Sequence, residues 1–179
     1  MAKKVLVIST SLRKGGNSET LADSFLQGAQ SAGNIAEKIS LCGKTINFCK
    51  GCLACQKIKK CVIADDVKDI IEKMKTADVI VFATPIYYYE MAGQMKTLLD
   101  RTNPLYGTEY SFRDIYLLST AADDAEGTDA RAITGLEGWI ECFPQARLAG
   151  TVFAGGVTAV GEIKDHEALN KAYEMGKSV

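Results

Sequence analysis

Apolar stretches, many of them rich in β-branched residues, recur five times along the chain and are separated by segments with helical periodicity. The first, third and fourth stretches are almost uninterrupted in apolar residues, which is typical of strands that are covered on both faces of a parallel sheet. The pattern therefore predicts five β-strands, at residues 4–10, 35–41, 77–84, 114–120 and 148–154.

Between these stretches, apolar residues return every three or four positions, as they do on one face of an α-helix. Ser18 is the predicted N-cap of the first helix, and Asp65 and Asp66 introduce the second. Strict alternation of strands and helices predicts one α/β domain over residues 1–179, an open parallel sheet with helices on both sides. The predicted helical stripes are Leu21, Ala22, Phe25, Leu26 and Ala29; Val67, Ile70, Ile71 and Met74; Met91, Met95, Leu98 and Leu99; Ile133, Leu136, Ile140 and Phe143; and Leu169, Ala172, Tyr173 and Gly176.

Composition and charge narrow the classes of partner. The 179 residues include 21 Lys and Arg against 22 Asp and Glu, a net charge of −1, so we expect neither nucleic acid nor an anionic membrane as a partner. No apolar run reaches the roughly 18 to 20 residues that a membrane span needs, and the first apolar stretch does not resemble a signal peptide. We therefore expect a cytoplasmic protein, in which six cysteines are not explained by structural disulfides.

The loop after the first predicted strand is a candidate phosphate site. It combines hydroxyl groups, the cations Arg13 and Lys14, two glycines and Asn17 at the start of a helix, where free N–H groups and the helix dipole favour anions. The glycine-rich motifs for dinucleotides and nucleoside triphosphates are both absent, which favours a terminal monophosphate such as that of FMN. The alternative is a polar connector with a capping serine.

The loop after the third strand is a candidate wall for a flat ligand. Pro85 fixes the backbone there, and Tyr87, Tyr88 and Tyr89 follow at the end of a strand. Tyrosines in such a place often cover a sheet edge without touching a ligand. Together with a phosphate loop one strand away, however, they describe the two ends of an FMN site.

Five segments in this order give the chain a family resemblance: residues 10–18, 49–55, 65–66, 84–88 and 96–102. They resemble the NADPH-dependent FMN reductase family, and most closely its branch of iron–sulfur flavoproteins. The resemblance implies a flavodoxin-like three-layer α/β/α sandwich, with a five-stranded parallel sheet in the order 2-1-3-4-5 and FMN bound non-covalently. It also implies a homodimer or a homotetramer.

The resemblance further implies the residues of the cofactor site. The loop at residues 119–124 departs from the glycine-containing loop that is frequent in the family, which puts contacts from that loop in doubt. Asp100 and Arg101 match a family pair that we interpret as structural. The implied phosphate residues are Ser9, Ser11, Arg13, Asn17 and Ser18, and the residues implied to line the isoalloxazine ring are Pro85, Ile86, Tyr87 and Tyr88.

Four cysteines, Cys49, Cys52, Cys55 and Cys61, form a C-x2-C-x2-C-x5-C motif. Compact runs of this kind hold iron–sulfur clusters, whereas structural zinc sites more often use two C-x2-C pairs with a longer spacer. The spacing favours a [4Fe–4S] cluster over zinc. Free or redox-labile thiols are the remaining alternative, because relatives with similar cysteines resemble plain FMN reductases.

The remaining cysteines and the single histidine offer little basis for hydrolytic chemistry. Cys42 and Cys142 lie on or near predicted apolar elements, where we expect small core residues. His166 is expected to be exposed at the start of the last helix. A Ser-His-Asp or Cys-His hydrolase would have to use this histidine, which disfavours that class.

Two functions follow as hypotheses. In the first, hydride passes from NAD(P)H through bound FMN to a quinone, a flavin, a dye or a similar acceptor, and no catalytic side chain is required because the flavin carries the chemistry. In the second, FMN and a [4Fe–4S] cluster relay electrons from ferredoxin. A receiver domain of the same topology is disfavoured, because Ser9 and Ser11 stand where that class needs acidic residues.

Overall fold

A computed structural model describes residues 1–179 and contains six strands and six α-helices. Two short 3-10 helices, Asn103–Leu105 and Glu162–Asp165, complete the regular structure. The strands are β1 (Lys4–Ser9), β2 (Ile35–Ser40), β3 (Val79–Tyr87), β4 (Glu90–Met91), β5 (Asp114–Thr120) and β6 (Arg147–Ala154). The α-helices are α1 (Asn17–Ser31), α2 (Ala54–Ile58), α3 (Val67–Thr76), α4 (Gly93–Arg101), α5 (Ala130–Ile140) and α6 (Ala168–Lys177).

Five of the strands are parallel and lie in the order β2-β1-β3-β5-β6. Counting the parallel strands alone, this is the order 2-1-3-4-5, and the flavodoxin-like sheet expected from the resemblance is confirmed. The sequence did not predict the two-residue strand β4, which pairs antiparallel with the end of β3.

Helices cover both faces of the sheet, as the alternation predicts. Side chains of β1 alternate between the two layers: Val5 and Val7 pack in a core with α1 and α6, whereas Leu6 and Ile8 pack in a core with α3, α4 and α5. The two-sided burial explains the near-continuous apolar sequence of the central strands. None of the helices combines the length and the apolarity that crossing a bilayer requires.

Several predicted boundaries are wrong by a few residues. Helix α1 begins at Asn17 with Gly16 as its N-cap and no capping side chain, so Ser18 lies inside the helix. Met91 belongs to β4 rather than to a helix, and α5 ends at Ile140, before Phe143. The sequence pattern could not separate these cases, because buried residues that flank a helix also extend its apolar stripe.

Helices α1 and α6 approach each other backbone to backbone at two glycines. A Cβ atom on Gly28 would lie 2.0 Å from the Tyr173 carbonyl oxygen, and one on Gly176 would lie 2.1 Å from the Phe25 carbonyl oxygen. Both distances are far shorter than a van der Waals contact. The contact between these two helices therefore requires glycine on each side.

The variant Gly28→Ala should lower the free energy of unfolding by about 1–3 kcal/mol, because overpacking outweighs the better helix propensity of alanine. Gly138, inside α5, is surrounded by open space, and a Cβ atom there would meet nothing within 4 Å. Gly138→Ala should therefore leave stability unchanged or raise it by up to about 1 kcal/mol. Thermal unfolding of both variants checks the prediction. Equal melting temperatures would contradict the close approach of α1 and α6.

Candidate functional site

A cavity of about 140 Å³ lies at the carboxyl edge of the sheet, where ligands bind in open α/β folds. The loops that follow β1, β3, β5 and β6 all reach it. The loop after β1 and the end of β3 both contribute to its lining. The lining residues are Ser11, Arg13, Gly16, Asn17, Ser18, Pro85, Ile86, Tyr87, Thr120, Ala121, Ala122, Val157 and Thr158.

Seven of the nine residues predicted for the cofactor site line this cavity: Ser11, Arg13, Asn17, Ser18, Pro85, Ile86 and Tyr87. Ser9 is fully buried at the end of β1, and its Oγ has no hydrogen-bond partner in the protein. Tyr88 does not line the cavity. Its side chain is 97% exposed, so the structure does not place it against the ring site that the sequence predicted.

Tyr88 and Tyr89 turn the chain between β3 and β4. Their φ angles are 51° and 66°, the left-handed values that a two-residue hairpin requires at both central positions. Glycine or asparagine usually occupies such positions, and bulky residues there are strained. Strained backbone concentrates at functional sites, and this turn adjoins the cavity through Tyr87.

The loop after β1, which we call the phosphate loop for its predicted role, is shaped by short-range contacts. The Ser11 Oγ accepts a hydrogen bond from the Arg13 backbone N–H at 3.1 Å. A Cβ atom on Gly16 would lie 3.0 Å from the Arg13 carbonyl oxygen, so the loop is tight at this glycine. No side chain caps α1, so the N–H groups of its first turn stay available at the cavity, as an anion requires.

Glu19 does not line the cavity, but it stabilises this loop. Its carboxylate accepts a hydrogen bond from the Gly15 N–H at 2.8 Å and pairs with Lys38 at 3.3 Å. Burial by itself would raise the pKa of Glu19, but the Gly15 hydrogen bond and the Lys38 charge outweigh it and lower the pKa. Glu19 therefore stays ionised and holds the loop at neutral pH.

The sequence missed the contribution of the C-terminal third of the chain. The Arg13 guanidinium donates to the Thr158 carbonyl oxygen at 2.9 Å, and the Asn17 amide donates to the Ala159 carbonyl oxygen at 2.9 Å. The Asn17 Oδ1 accepts a longer hydrogen bond, 3.4 Å, from the Ile163 N–H. The segment after β6 thus packs against the phosphate loop, a position that the carboxyl-edge rule alone could have indicated.

The loop after β5 also reaches the cavity, through Thr120, Ala121 and Ala122. Contacts from this loop were in doubt because it lacks the glycine expected from the resemblance. Ala121 and Ala122 have small side chains, so they leave space in the cavity much as a glycine would. The residues of the cavity fit FMN, because the hydroxyl-rich start of α1 and the apolar end of β3 are the groups that a phosphate and a flat ring require.

A second, smaller cavity of about 30 Å³ is lined by all four cysteines of the motif, Cys49, Cys52, Cys55 and Cys61. All six cysteines of the chain are free. No three Cys, His, Asp or Glu side chains converge at the distances that a single metal ion needs. The spacing of the motif suggested that one short loop could wrap the four thiols around a metal centre. In the structure all four line one cavity, although no three of them are near enough to share a single metal ion.

A buried ion pair fixes both ends of the cysteine segment, which we define as residues 47–65. Arg101 binds Asp65 through two hydrogen bonds, from Nη1 at 2.7 Å and from Nη2 at 2.9 Å, and both side chains are fully buried. The Arg101 Nη1 also donates to the Asn47 carbonyl oxygen at 2.6 Å. The structural role expected for Arg101 is therefore visible, whereas Asp100 forms a separate, exposed pair with Lys96.

The ion pair shifts the pKa of both partners. Burial alone would raise the pKa of Asp65, but hydrogen bonds from Arg101 and Asn47 outweigh it and lower the pKa to about 2. The hydrogen bond to Asp65 is the main cause that raises the pKa of Arg101, and Cys61 adds to it. Both groups are therefore charged over the whole physiological pH range.

The structure also shows where the two remaining cysteines and the single histidine lie. Cys142 is exposed, so its assignment to the core is wrong, because the residue lies just beyond the end of α5. Cys42 is half-buried, with its Sγ 3.3 Å from the Leu12 carbonyl oxygen. His166 precedes α6 as expected but is half-buried rather than exposed, and its Nδ1 accepts a hydrogen bond from the Ala168 N–H at 3.0 Å.

Residues 3–134 match the family model for NADPH-dependent FMN reductases, about three quarters of the chain. The chain belongs to the NADPH-dependent FMN reductase family. As a member of this family it is a flavoprotein oxidoreductase, and the expected resemblance is confirmed. The matched residues include the phosphate loop, the cysteine segment and the end of β3.

Similar proteins include both kinds of flavoprotein that the sequence suggested. An iron-sulfur flavoprotein of Methanosarcina thermophila is 28% identical over 177 residues, which cover 98% of this chain and 93% of that protein. An iron-sulfur flavoprotein of Methanocaldococcus jannaschii is 42% identical over 102 residues, but the match spans only 53% of its length and 57% of this chain. A putative NAD(P)H-dependent FMN-containing oxidoreductase of Bacillus subtilis is 28% identical over 182 residues, 97% of each chain.

Solved structures share the fold with this member of the FMN reductase family. A NAD(P)H:quinone oxidoreductase from Methanothermobacter marburgensis aligns with a TM-score of 0.73 at 17% identity, covering 99% of this chain and 98% of that one. A flavodoxin-type, WrbA-like protein from Agrobacterium tumefaciens aligns with a TM-score of 0.67 at 15% identity, covering 99% and 95%. At these identities the likeness concerns the fold, which is flavodoxin-like.

Proposed function

We propose that the protein is an FMN-dependent NAD(P)H oxidoreductase that passes hydride from NAD(P)H through bound FMN to a quinone, a flavin, a dye or a similar small acceptor. The observation that carries the proposal is one cavity in which an uncapped helix N-terminus with serine hydroxyls faces the aromatic end of β3. FMN supplies the hydride chemistry when bound. The expected cytoplasmic location is part of the proposal and accords with six free cysteines.

The side chains of the cavity have binding roles rather than proton-transfer roles in this proposal. Ser11, Asn17 and Ser18, with the Arg13 guanidinium, would hold the phosphate. Ser9 was also expected to do so, but it is fully buried and does not line the cavity. A second set, Pro85, Ile86 and Tyr87, would support the ring. No His lies in the cavity, and none is needed to transfer a hydride.

The cavity is too small to cover the whole of FMN. At about 140 Å³ the cavity is smaller than the roughly 300 Å³ at which pockets for drug-sized ligands begin, so part of FMN would lie outside it. The exposed aromatic turn of Tyr87, Tyr88 and Tyr89 adjoins the cavity through Tyr87. We propose that a second copy covers this region in a homodimer or a homotetramer.

Steady-state assays of protein loaded with FMN test the proposed activity. NADPH or NADH oxidation should require the flavin and should accelerate with a soluble quinone, free FMN or an azo dye as acceptor. The same protein stripped of flavin is the control and should be inactive. Flavin-loaded protein that oxidises neither nicotinamide with any of these acceptors would overturn the proposal.

A second candidate function is that of an iron–sulfur flavoprotein, which would carry electrons between ferredoxin and FMN. The observation that favours it is the shared cavity of Cys49, Cys52, Cys55 and Cys61, whose thiolates are the ligand type of a [4Fe–4S] cluster. Such a cluster would supply one-electron transfer when bound.

Iron and acid-labile sulfide assays on anaerobically purified protein test this second candidate. About four irons per chain would support it. In that case Cys52→Ala should lose iron, whereas its flavin content should stay at the wild-type level, since Cys52 does not line the FMN cavity. Iron-free protein that also fails to take up iron and sulfide would contradict it.

A further inference from the structure

The C-terminal end of α4 and the turn after it form one wall of the cysteine cavity. Arg101 and Asn103 both line this cavity together with the four cysteines. The Asn103 Nδ2 donates a hydrogen bond to the Cys55 Sγ at 3.1 Å. The sulfur is the only hydrogen-bond partner of the Asn103 side chain in the protein, so the side chain has no competing structural contact.

We propose that Asn103 is a positioning residue for the group that the four cysteines bind, and that its hydrogen bond to the Cys55 sulfur raises the reduction potential of that group. The inference rests on the second candidate function, in which that group is a [4Fe–4S] cluster. Hydrogen bonds to ligating sulfurs are among the factors that set cluster potentials. A donor at the sulfur stabilises the more negative, reduced state.

The charges around the cavity leave this neutral amide with a distinct role. Lys50, Asp100 and Arg101 are the charged residues that line the cavity. The Arg101 charge is balanced by Asp65, although its buried Nε has no partner. Arg101 holds the segment ends and also interacts with Cys61, whereas Asn103 is the neutral donor that contacts the Cys55 sulfur directly.

Redox titration of protein reconstituted anaerobically with ferrous iron and sulfide tests the inference. Asn103→Ala should bind iron and sulfide at the wild-type ratio but show a more negative cluster midpoint potential, followed by the EPR signal of the reduced cluster. Asn103→Asp should shift the potential further in the same direction, because a carboxylate removes the donor and adds a negative charge. The matched control is Asn170→Ala, an exposed asparagine on α6, which should leave the potential unchanged.

The outcomes separate the two levels of the proposal. Lower iron content in Asn103→Ala at an unchanged melting temperature would also support the positioning role, through Cys55. Equal iron content and equal potentials in Asn103→Ala and wild type would overturn the inference alone. Wild-type protein that takes up no iron and sulfide would overturn the second candidate function, and this inference with it.

Discussion

Replacing Asp65 by alanine should lower the free energy of unfolding by about 3–5 kcal/mol, the cost of leaving one buried charge without its partner. The carboxylate accepts two hydrogen bonds from the fully buried Arg101 guanidinium and one from the Asn47 N–H at 2.9 Å. Removing it leaves the buried positive charge of Arg101 without a partner and frees both ends of the cysteine segment from this contact. Urea denaturation of wild type and Asp65→Ala measures the loss.

The residue next to Arg101 in the chain offers a matched control. Asp100 pairs with Lys96 at 2.6 Å, but about half of each side chain is exposed, so Asp100→Ala should cost no more than about 0.5 kcal/mol. The double variant Asp65→Leu with Arg101→Met should recover much of the stability, since apolar replacements of a buried pair are often tolerated. Similar losses in Asp65→Ala and Asp100→Ala would contradict the role of the buried pair.

The same ion pair predicts an acid-sensitive stability. The pKa of Asp65 is lowered from 3.8 to about 2, so its contribution is fully present above pH 4 and is lost as the pH falls towards 2. The shift corresponds to roughly 2 kcal/mol. Wild type should therefore lose more stability than Asp65→Ala between pH 4 and pH 2, as measured by urea denaturation at each pH. Parallel curves in that range would show that the pair does not titrate as described.

Replacing Ser11 by glutamate should weaken FMN binding by about a thousand-fold. Ser11 lines the cavity where we propose that the phosphate binds, and the residue is only 5% exposed. A carboxylate about 4 Å from the phosphate costs about 4 kcal/mol per pair of unit charges at an effective dielectric constant near 20. Each 1.4 kcal/mol is a factor of ten in the dissociation constant. Fluorescence titration of flavin-free protein with FMN measures the effect.

Two further variants make this result specific. Ser111→Glu adds the same charge at an exposed position before β5, at the opposite edge of the sheet, and should leave the FMN dissociation constant unchanged. Ser11→Ala removes one hydroxyl without adding charge and should weaken binding by a few-fold, up to about ten-fold. Folded Ser11→Glu protein that binds FMN as tightly as wild type would place the phosphate elsewhere.

The sequence predicts the fold well because the relevant signals are local. All five parallel strands lie within three residues of their predicted bounds, since strands buried on both faces require continuous apolar sequence. The polar loop after β1 was also recognisable as part of a cavity, because it follows β1 directly and its polar residues are contiguous. Seven of the nine predicted cofactor residues line one cavity, because the carboxyl ends of neighbouring parallel strands meet at one edge of the sheet.

The features that the sequence missed depend on backbone conformation or on distant segments. Nothing in a run of three tyrosines indicates that Tyr88 adopts a φ of 51° and leaves its side chain in solvent. The contact of Arg13 with the Thr158 carbonyl spans 145 residues and involves a backbone atom, which leaves no trace in residue type. The burial of Arg101 was likewise hidden, because its carboxylate partner lies 36 residues earlier in the chain.

The visible spectrum of anaerobically purified protein, recorded before and after addition of NADPH, tests the central claim most directly. The protein should show resolved flavin bands that bleach with about one NADPH per bound FMN, since one hydride reduces one flavin. Iron and sulfide measured on the same sample separate the two candidate functions. Colourless protein that also fails to bind added FMN would contradict the account.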